Sequence, residues 1–464
     1  MDEFRYKNIG FSTDIPLAYY WNISPGQRNA LLLKAVEDVH SWHYSRNKAY
    51  RNIVEAREVG ETVTSEDLPR LLRPTAQVFK SYIDILGTPF PQDKPRQFLE
   101  WMKDQLSISL PIEKFDRFRK RYRSLEALLS DIEDIFSDFG FEVSTSSGTS
   151  GRSTIMVRDQ TGLETTAQSF YLCFQRYFGT QIDHRAIFIM PKQTRITMAR
   201  MVSFSFWRVG MPPERTHFTI PFPAFPDQVR IRSGRTFREG LKGEIERRIW
   251  YPFMNRMNDS YVMPNAIRES VRLLEKAESV GEKVLLFGGW IQLHSIAKEI
   301  LAKKKVMRLA PGSLLGTGGG FKELYSLTTN QIRECVAQAI RFNDDQPVPL
   351  RDVYGMAEGN WAAMQCQQGN YHIPPWVYAV TLDENDQILE GPDNCGLLAF
   401  YDPRGGGDLF PSFFKTTDRL RLINGGQSYD SDFACPCGDI TAYIQQDSIQ
   451  RMDLLDEAGC AAQL

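Results

Sequence analysis

Between residues 154 and 354, short apolar or β-branched runs take turns with stretches whose apolar residues recur at helical spacing. The runs lie at 186–190, 283–287 and 349–354; the helical patterns lie at 162–177, 264–280, 289–304 and 329–342. A strand and an amphipathic helix each need a second layer to cover an apolar face, so this alternation predicts an α/β sheet with covering helices. The texture differs on either side. Upstream, Ser24-Pro25 is an N-cap and first-turn pair, followed by Leu32, Val36, Val39 and Trp42 at helical spacing. Further helical pattern runs through Ile53, after Leu72, and between Arg123 and Phe136. Downstream, from Pro375 to Ile423, the runs shorten and turns multiply, as in an antiparallel β subdomain. The chain therefore divides into a mostly helical region at 1–140, an α/β core at 141–374, a β subdomain at 375–434 and a short tail at 435–464, with no internal repeat or low-complexity segment.

Bulk properties narrow the classes of function. A chain of 464 residues is expected to form two or three packed units. With 55 basic and 57 acidic residues, no net field draws it to nucleic acid or anionic lipid. No apolar stretch nears the ~20 residues of a membrane helix; the best, 284–290, is short and carries glycines. The start, Met1-Asp2-Glu3-Phe4-Arg5, lacks the apolar run of a signal peptide, which predicts a cytoplasmic enzyme. Seven cysteines, an odd number spread over a long chain, suit reduced thiols, metal ligands or a reactive cysteine better than a disulfide framework. His40 and His43 fall on a helix and are expected at the surface or the edge of the core; His184 and His217 have no partner motif.

The run Ser146-Ser147-Gly148-Thr149-Ser150-Gly151 holds only small and hydroxylated side chains between two strand-like segments. Glycine permits close approach to a ligand, and successive turn N–H groups beside hydroxyls make a cradle for an anion. It is not a Gly-x-x-x-x-Gly-Lys-Ser/Thr loop and contains no lysine. Three further motifs follow: Leu315-Gly316-Thr317-Gly318-Gly319-Gly320-Phe321-Lys322, Val353-Tyr354-Gly355-Met356-Ala357-Glu358, and Thr416-Thr417-Asp418-Arg419-Leu420. Each alone is a turn or a strand end. Their order over more than half the chain is what makes them informative.

In this order the motifs resemble those of the adenylate-forming superfamily, which includes acyl-CoA synthetases, adenylation domains and luciferases. The resemblance implies helix-covered sheets with a small β subdomain, the mobile C-terminal domain being missing or reduced to a short tail. It implies ATP phosphates at Ser146, Ser147, Gly148, Thr149, Ser150 and Gly151. Adenine would lie between Gly318, Gly319, Gly320 and Tyr354-Gly355, with Mg²⁺ on Glu358 and the ribose hydroxyls on Asp418. Activating a carboxylate with ATP is positioning and charge stabilisation, and Mg²⁺ is suited by a single carboxylate plus substrate phosphates. Departures from the superfamily pattern are the absence of a lysine in Arg152-Ser153-Thr154, Ala357 before the glutamate, and Asp439 where an arginine commonly follows Cys-x-Cys-Gly.

The chain is most similar to one branch, the LuxE-type acyl-protein synthetases. The matching features are Phe79-Lys80, the Gly-Gly-Gly-Phe-Lys run, Glu358-Gly359-Asn360-Trp361 with Cys366 and His372, Pro375-Trp376-Val377, Cys435-Pro436-Cys437-Gly438 and Gly459-Cys460. This resemblance implies an AMP-forming ligase that activates a fatty acid as its adenylate and passes the acyl group to Cys460 as nucleophile. The thioester would then go to a reductase partner that makes the aldehyde. A carrier protein or coenzyme A is the alternative acceptor, as in aryl and acyl ligases; a further alternative is an inactive scaffold subunit of a reductase complex.

Cys366-x5-His372 and Cys435-x-Cys437 together supply three thiolates and one imidazole, the set of a closed, structural zinc site. The alternative is a buried cysteine in one place and a hydrogen-bonded histidine in another. Phe287-Gly288-Gly289-Trp290, leaving a strand, reads as strand-end packing, with an acyl-pocket lining as the lesser reading.

Overall fold

The computed structural model describes residues 15–146, 153–197, 199–200, 202, 210–319 and 326–451. Ser147, Gly148, Thr149, Ser150, Gly151, Gly320 and Cys460 lie outside the described residues. The first long helix, Pro25–Arg46, starts where the Ser-Pro pair predicts. Gln27 N–H donates to Ser24 Oγ while the Gln27 side chain accepts from Ser24 N–H, so two orphan donors are satisfied at once.

Two residues of that helix correct the expectation. His40 and His43 are fully buried, neither at the surface nor at the core edge. His40 Nδ1 lies 2.8 Å from the Tyr50 hydroxyl and Nε2 2.8 Å from the Gly60 carbonyl; His43 Nδ1 lies 2.6 Å from the Ser107 hydroxyl. These partners come from later segments, so the helix's own periodicity carried no sign of them. Burial lowers both imidazole pKa values and keeps the rings neutral.

Among the described residues seventeen strands follow in chain order: β1 Arg73–Pro74, β2 Glu142–Thr145, β3 Ile155–Arg158, β4 Arg185–Pro191, β5 Thr216–Ile220, β6 Val284–Phe287, β7 Met307–Leu309, β8 Leu314–Gly318, β9 Ile340–Phe342, β10 Leu350–Gly355, β11 Ala362–Gln365, β12 Tyr371–His372, β13 Tyr378–Leu382, β14 Asp393–Asp402, β15 Ser412–Ile423, β16 Tyr443–Ile444 and β17 Gln450–Arg451. Thirteen of them form one sheet in the order β13-β14-β15-β16-β12-β11-β10-β8-β6-β4-β5, with β1 and β17 attached to β15. From β5 to β10 the pairing is parallel, and from β10 to β13 it is antiparallel. Within the antiparallel part the sheet narrows at β16 and β12, which are two residues each.

The parallel strands are apolar on both faces because both are covered. In β4, Ala186 and Phe188 pack on one side while Ile187 and Ile189 pack on the other; in β6, Leu285 and Phe287 oppose Val284 and Leu286. The first set meets Phe174 and Phe178 of helix Gln160–Phe178 and the helical N-terminal region. The second meets Leu274, Leu293, Ile296 and Val336 from helices Met263–Val280, Trp290–Ala302 and Thr329–Ala339. The last helix is shorter than its pattern suggested. Ile340 leaves it in an extended conformation, and Ile340–Phe342 becomes β9, parallel to β7. Phe287 and Trp290 are buried, and the Arg333 guanidinium lies 5.0 Å over the Trp290 ring, which fits the strand-end packing role.

Candidate active site

Parallel strands bring their C-terminal ends to one edge, where α/β folds place ligands. The register of β8 with β10 sets Gly318 beside Val353, so Gly318-Gly319 and Tyr354-Gly355 emerge side by side. Gly319 has φ +87°, a left-handed conformation that a side chain would strain. Tyr354, buried at the end of β10, donates its hydroxyl to Asp418 Oδ2 at 2.6 Å. Asp418 sits in β15, 9% exposed, and its backbone N–H donates to Thr416 Oγ1 at 3.1 Å. Two motifs separated by 64 residues are thus joined by one short hydrogen bond.

The loop and the glutamate also converge. The hairpin β2–β3 pairs Glu142 with Arg158 and Thr145 with Ile155. Its neck is closed by Thr154 N–H to Ser146 Oγ at 2.9 Å and by Ser146 N–H to Thr154 O at 3.0 Å. The Thr154 hydroxyl then donates to Glu358 Oε1 at 2.7 Å. Glu358 is 8% exposed, so this contact decides where a buried carboxylate points. A second tie runs alongside: Arg158 Nε donates to Asn360 Oδ1 at 2.7 Å and Nη2 to the Ala357 carbonyl at 3.0 Å, while Nη1 reaches the Ser144 hydroxyl. The base of the small-residue loop and the Ala357–Asn360 turn are fastened to each other from both sides. Asn360 Nδ2 and Thr317 Oγ1, both buried, have no hydrogen-bond partner among the described residues, which leaves polar capacity near the strand ends.

Of the sequence-predicted residues, Ser146, Gly318, Gly319, Tyr354, Gly355, Glu358 and Asp418 are described and lie along this strand-end edge and its facing hairpin. Sequence reasoning missed Thr154, Arg158 and Asn360 as positioning residues. Arg158 left a sign, a charge closing an apolar run; Thr154 and Asn360, small polar neighbours of quoted motifs, left none. Asp439, the departure after Cys-x-Cys-Gly, accepts from Arg176 Nε at 2.6 Å and from Thr441 N–H at 2.9 Å, a packing role that holds the following turn.

Two other placements matter. β17 pairs with β15 in the register Asp418↔Arg451, so the described chain ends next to Asp418. Cys366, His372, Cys435 and Cys437 come together, with their ligand atoms within 4.8 Å of one another. No helix among the described residues is long and apolar enough to cross a membrane.

The family model described as acyl-protein synthetase, LuxE, matches residues 254–464. A long-chain-fatty-acid–luciferin-component ligase from Aliivibrio fischeri is 25% identical over 145 residues, which is 31% of this chain and 35% of that protein. The match thus spans about a third of that relative's length. Crystal structures of 2-hydroxyisobutyryl-CoA ligase with 2-HIB-AMP and CoA, one open and one in the thioesterification state, superpose with TM-scores of 0.55 and 0.56 at 13% identity. They cover 96% and 97% of this chain and 81% and 75% of their own. At that identity the likeness is one of fold. The chain has the fold of adenylate-forming ligases, and its residues 254–464 are similar to the acyl-protein synthetase LuxE family.

Proposed function

We propose that this protein is an AMP-forming ligase that activates a carboxylic acid, with a fatty acid as the favoured class, and transfers it to a thiol. The observation carrying this reading is the contact between Thr154 and Glu358, which couples the neck of the small-residue loop to the candidate metal carboxylate across 204 residues. The Tyr354–Asp418 hydrogen bond at the neighbouring strand ends supports it.

ATP is the co-substrate in this reading, with its phosphates at Ser146, Ser147, Gly148, Thr149, Ser150 and Gly151, and its adenosine along Gly318, Gly319, Gly320, Tyr354 and Gly355. Tyr354 aims the Asp418 carboxylate at the ribose hydroxyls. Glu358 fits a hard cation, being a buried oxygen donor held by a single hydroxyl, and would hold Mg²⁺. The metal, when bound, neutralises charge on the phosphates. The acid's carboxylate oxygen attacks the α-phosphorus, the bond to pyrophosphate breaks, and the acyl-adenylate remains. Arg158 acts at one remove, keeping the Ala357–Asn360 turn against β3 so that Glu358 does not drift.

In the second half-reaction a thiolate attacks the acyl carbon and AMP leaves. Cys460 is the favoured nucleophile because β17 anchors the tail beside Asp418. Eight residues lie between Arg451 and Cys460, a tether of at most roughly 30 Å. A reductase partner would take the thioester onward, in the cytoplasm. Coenzyme A or a carrier protein is the competing acceptor, supported by the CoA-bound ligases of the same fold. Carboxylate-dependent ATP–pyrophosphate exchange tests the first step. Exchange with long-chain acids is expected, and none with any acid from a folded protein would point to a scaffold subunit. Labelled acid should then appear on the chain itself without added coenzyme A.

A further inference from the structure

We propose that Cys366, His372, Cys435 and Cys437 bind one Zn²⁺, and that this ion stitches the large sheet together at its narrowest point. The separations fit the metal. A tetrahedral Zn²⁺ with sulfur at about 2.3 Å and nitrogen at about 2.0–2.1 Å sets S···S edges near 3.8 Å and S···N edges near 3.5 Å. Here Cys366 Sγ lies 3.9 Å from Cys435 Sγ, and Cys437 Sγ lies 3.3 Å from His372 Nε2. A disulfide, at about 2.05 Å, does not fit the first pair as it stands.

The surroundings are those of a ligand set already aimed. His372 is fully buried, and its Nδ1 lies 2.8 Å from Thr441 Oγ1, which leaves Nε2 to face the sulfurs. The Tyr177 ring stacks on the imidazole at 5.1 Å between centroids and fixes its plane. Donors are directed at the sulfurs as well: Gln368 N–H reaches Cys366 Sγ at 3.4 Å, and Asn370 Nδ2 reaches Cys435 Sγ at 3.5 Å. Such donors suit thiolates. The Cys435-Pro436-Cys437 turn is closed by Gly438, at φ +88°, whose N–H donates to Cys435 O at 2.9 Å. Cys366 and Cys435 are buried and Cys437 partly so, and four protein ligands leave no coordination position open.

Position explains the purpose. Cys366 follows β11, His372 ends β12, and Cys435 and Cys437 precede β16. β12 and β16 share only the pairs Tyr371↔Ile444 and His372↔Tyr443, so very few backbone hydrogen bonds join β13, β14 and β15 to the rest of the sheet. A zinc ion bound across this seam supplies the cohesion that so short a ladder lacks, and takes up the thiol protons' place as it binds. Its failure would leave the proposed acid activation untouched, since none of the four ligands belongs to that site.

Metal content of the full chain, purified without added zinc, tests this. About one zinc per chain is expected. Replacement by Co²⁺ should give tetrahedral d–d bands and a thiolate charge-transfer band. A strong chelator should lower Tm by at least about 5 °C, reversed by zinc. Cys437→Ser, which removes the least buried ligand, should lose zinc and alter the cobalt spectrum; Cys395→Ser, an exposed cysteine elsewhere, should change neither. A metal-free folded chain that takes up neither ion and melts identically with chelator would overturn the proposal. A Cys366–Cys435 disulfide found by mass spectrometry in the freshly purified chain would overturn it too.

Discussion

Replacing Glu358 with Gln separates holding from chemistry. Glutamine keeps the length and one carbonyl oxygen, so the Thr154 hydroxyl still has an acceptor where it now reaches Oε1 at 2.7 Å. The bond changes from charge-assisted, about 1.5–3 kcal/mol, to neutral, about 0.5–1.5 kcal/mol, a loss of about 1 kcal/mol. Against this, the side chain is 8% exposed, and a neutral amide is cheaper to bury than a carboxylate. The two effects offset to within about 1 kcal/mol, or about 1 °C in Tm for a chain of 464 residues. Activity should respond quite differently. Removing one preorganised charge from a site that stabilises transferring phosphate costs about 10²–10³ in rate, about 2.7–4 kcal/mol. Exchange of pyrophosphate into ATP, measured with a panel of long-chain acids at saturating Mg²⁺ beside a thermal melt, reads both quantities. Thr154→Val is the companion: the charge stays but loses its director, and exchange should fall about tenfold, in line with one lost hydrogen bond to a charged group. Exchange at the parent rate in Glu358→Gln, with an unshifted melt, would remove Glu358 from the chemistry and refute the argument.

Tyr354→Phe strips the hydroxyl from Asp418 Oδ2 and should raise KM for ATP about five- to tenfold, about 1–1.4 kcal/mol; a fall in kcat at constant KM would place the pair elsewhere in the cycle. Cys460→Ala should abolish the acyl-protein adduct seen on gels while leaving pyrophosphate exchange intact, and an adduct that persists would move the acceptor to another thiol. Asp402, fully buried, has its carboxyl pushed up to about 7 by burial, opposed by hydrogen bonds from the Arg404 and Gly405 backbone. Its acid form is stabilising below the unfolded value near 3.8, and that contribution is lost as pH rises through about 7. Asp402→Asn should therefore gain on the parent protein between pH 4 and 7, by up to about 4 kcal/mol for a shift of about three units; parallel denaturation curves across that range would discard the assignment.

Much of the frame was legible because it rests on local chemistry. Ser24-Pro25 opened a helix, and the apolar runs at 186–190, 283–287 and 349–354 lie within β4, across β6 and into β10, since both faces of those strands are covered. What local pattern cannot carry is partnership. His40 and His43 looked peripheral because their partners, Tyr50, Gly60 and Ser107, sit in other elements. Ile340–Phe342 reads as the end of a helix until β7 is present to pair with it. In the site, the motif residues announced themselves through glycine and carboxylate chemistry, whereas Thr154 and Arg158 acquire meaning only when a hairpin and a turn 204 and 202 residues away meet them. The Cys/His set is intermediate: its composition was visible, its convergence was not.

The register Asp418↔Arg451 has a thermodynamic corollary. One backbone segment both presents the carboxylate proposed for the ribose and pairs with β17. If docking of β17 strengthens nucleotide binding at Asp418 by some factor, nucleotide strengthens the docking of β17 by the same factor, because linkage is reciprocal. Hydrogen exchange at the Gln450 and Arg451 amides should therefore slow when an adenylate analogue is bound, and a chain shortened before Gln450 should hold that analogue more weakly. Release of AMP would then loosen the tail at the moment its acyl cargo has to depart.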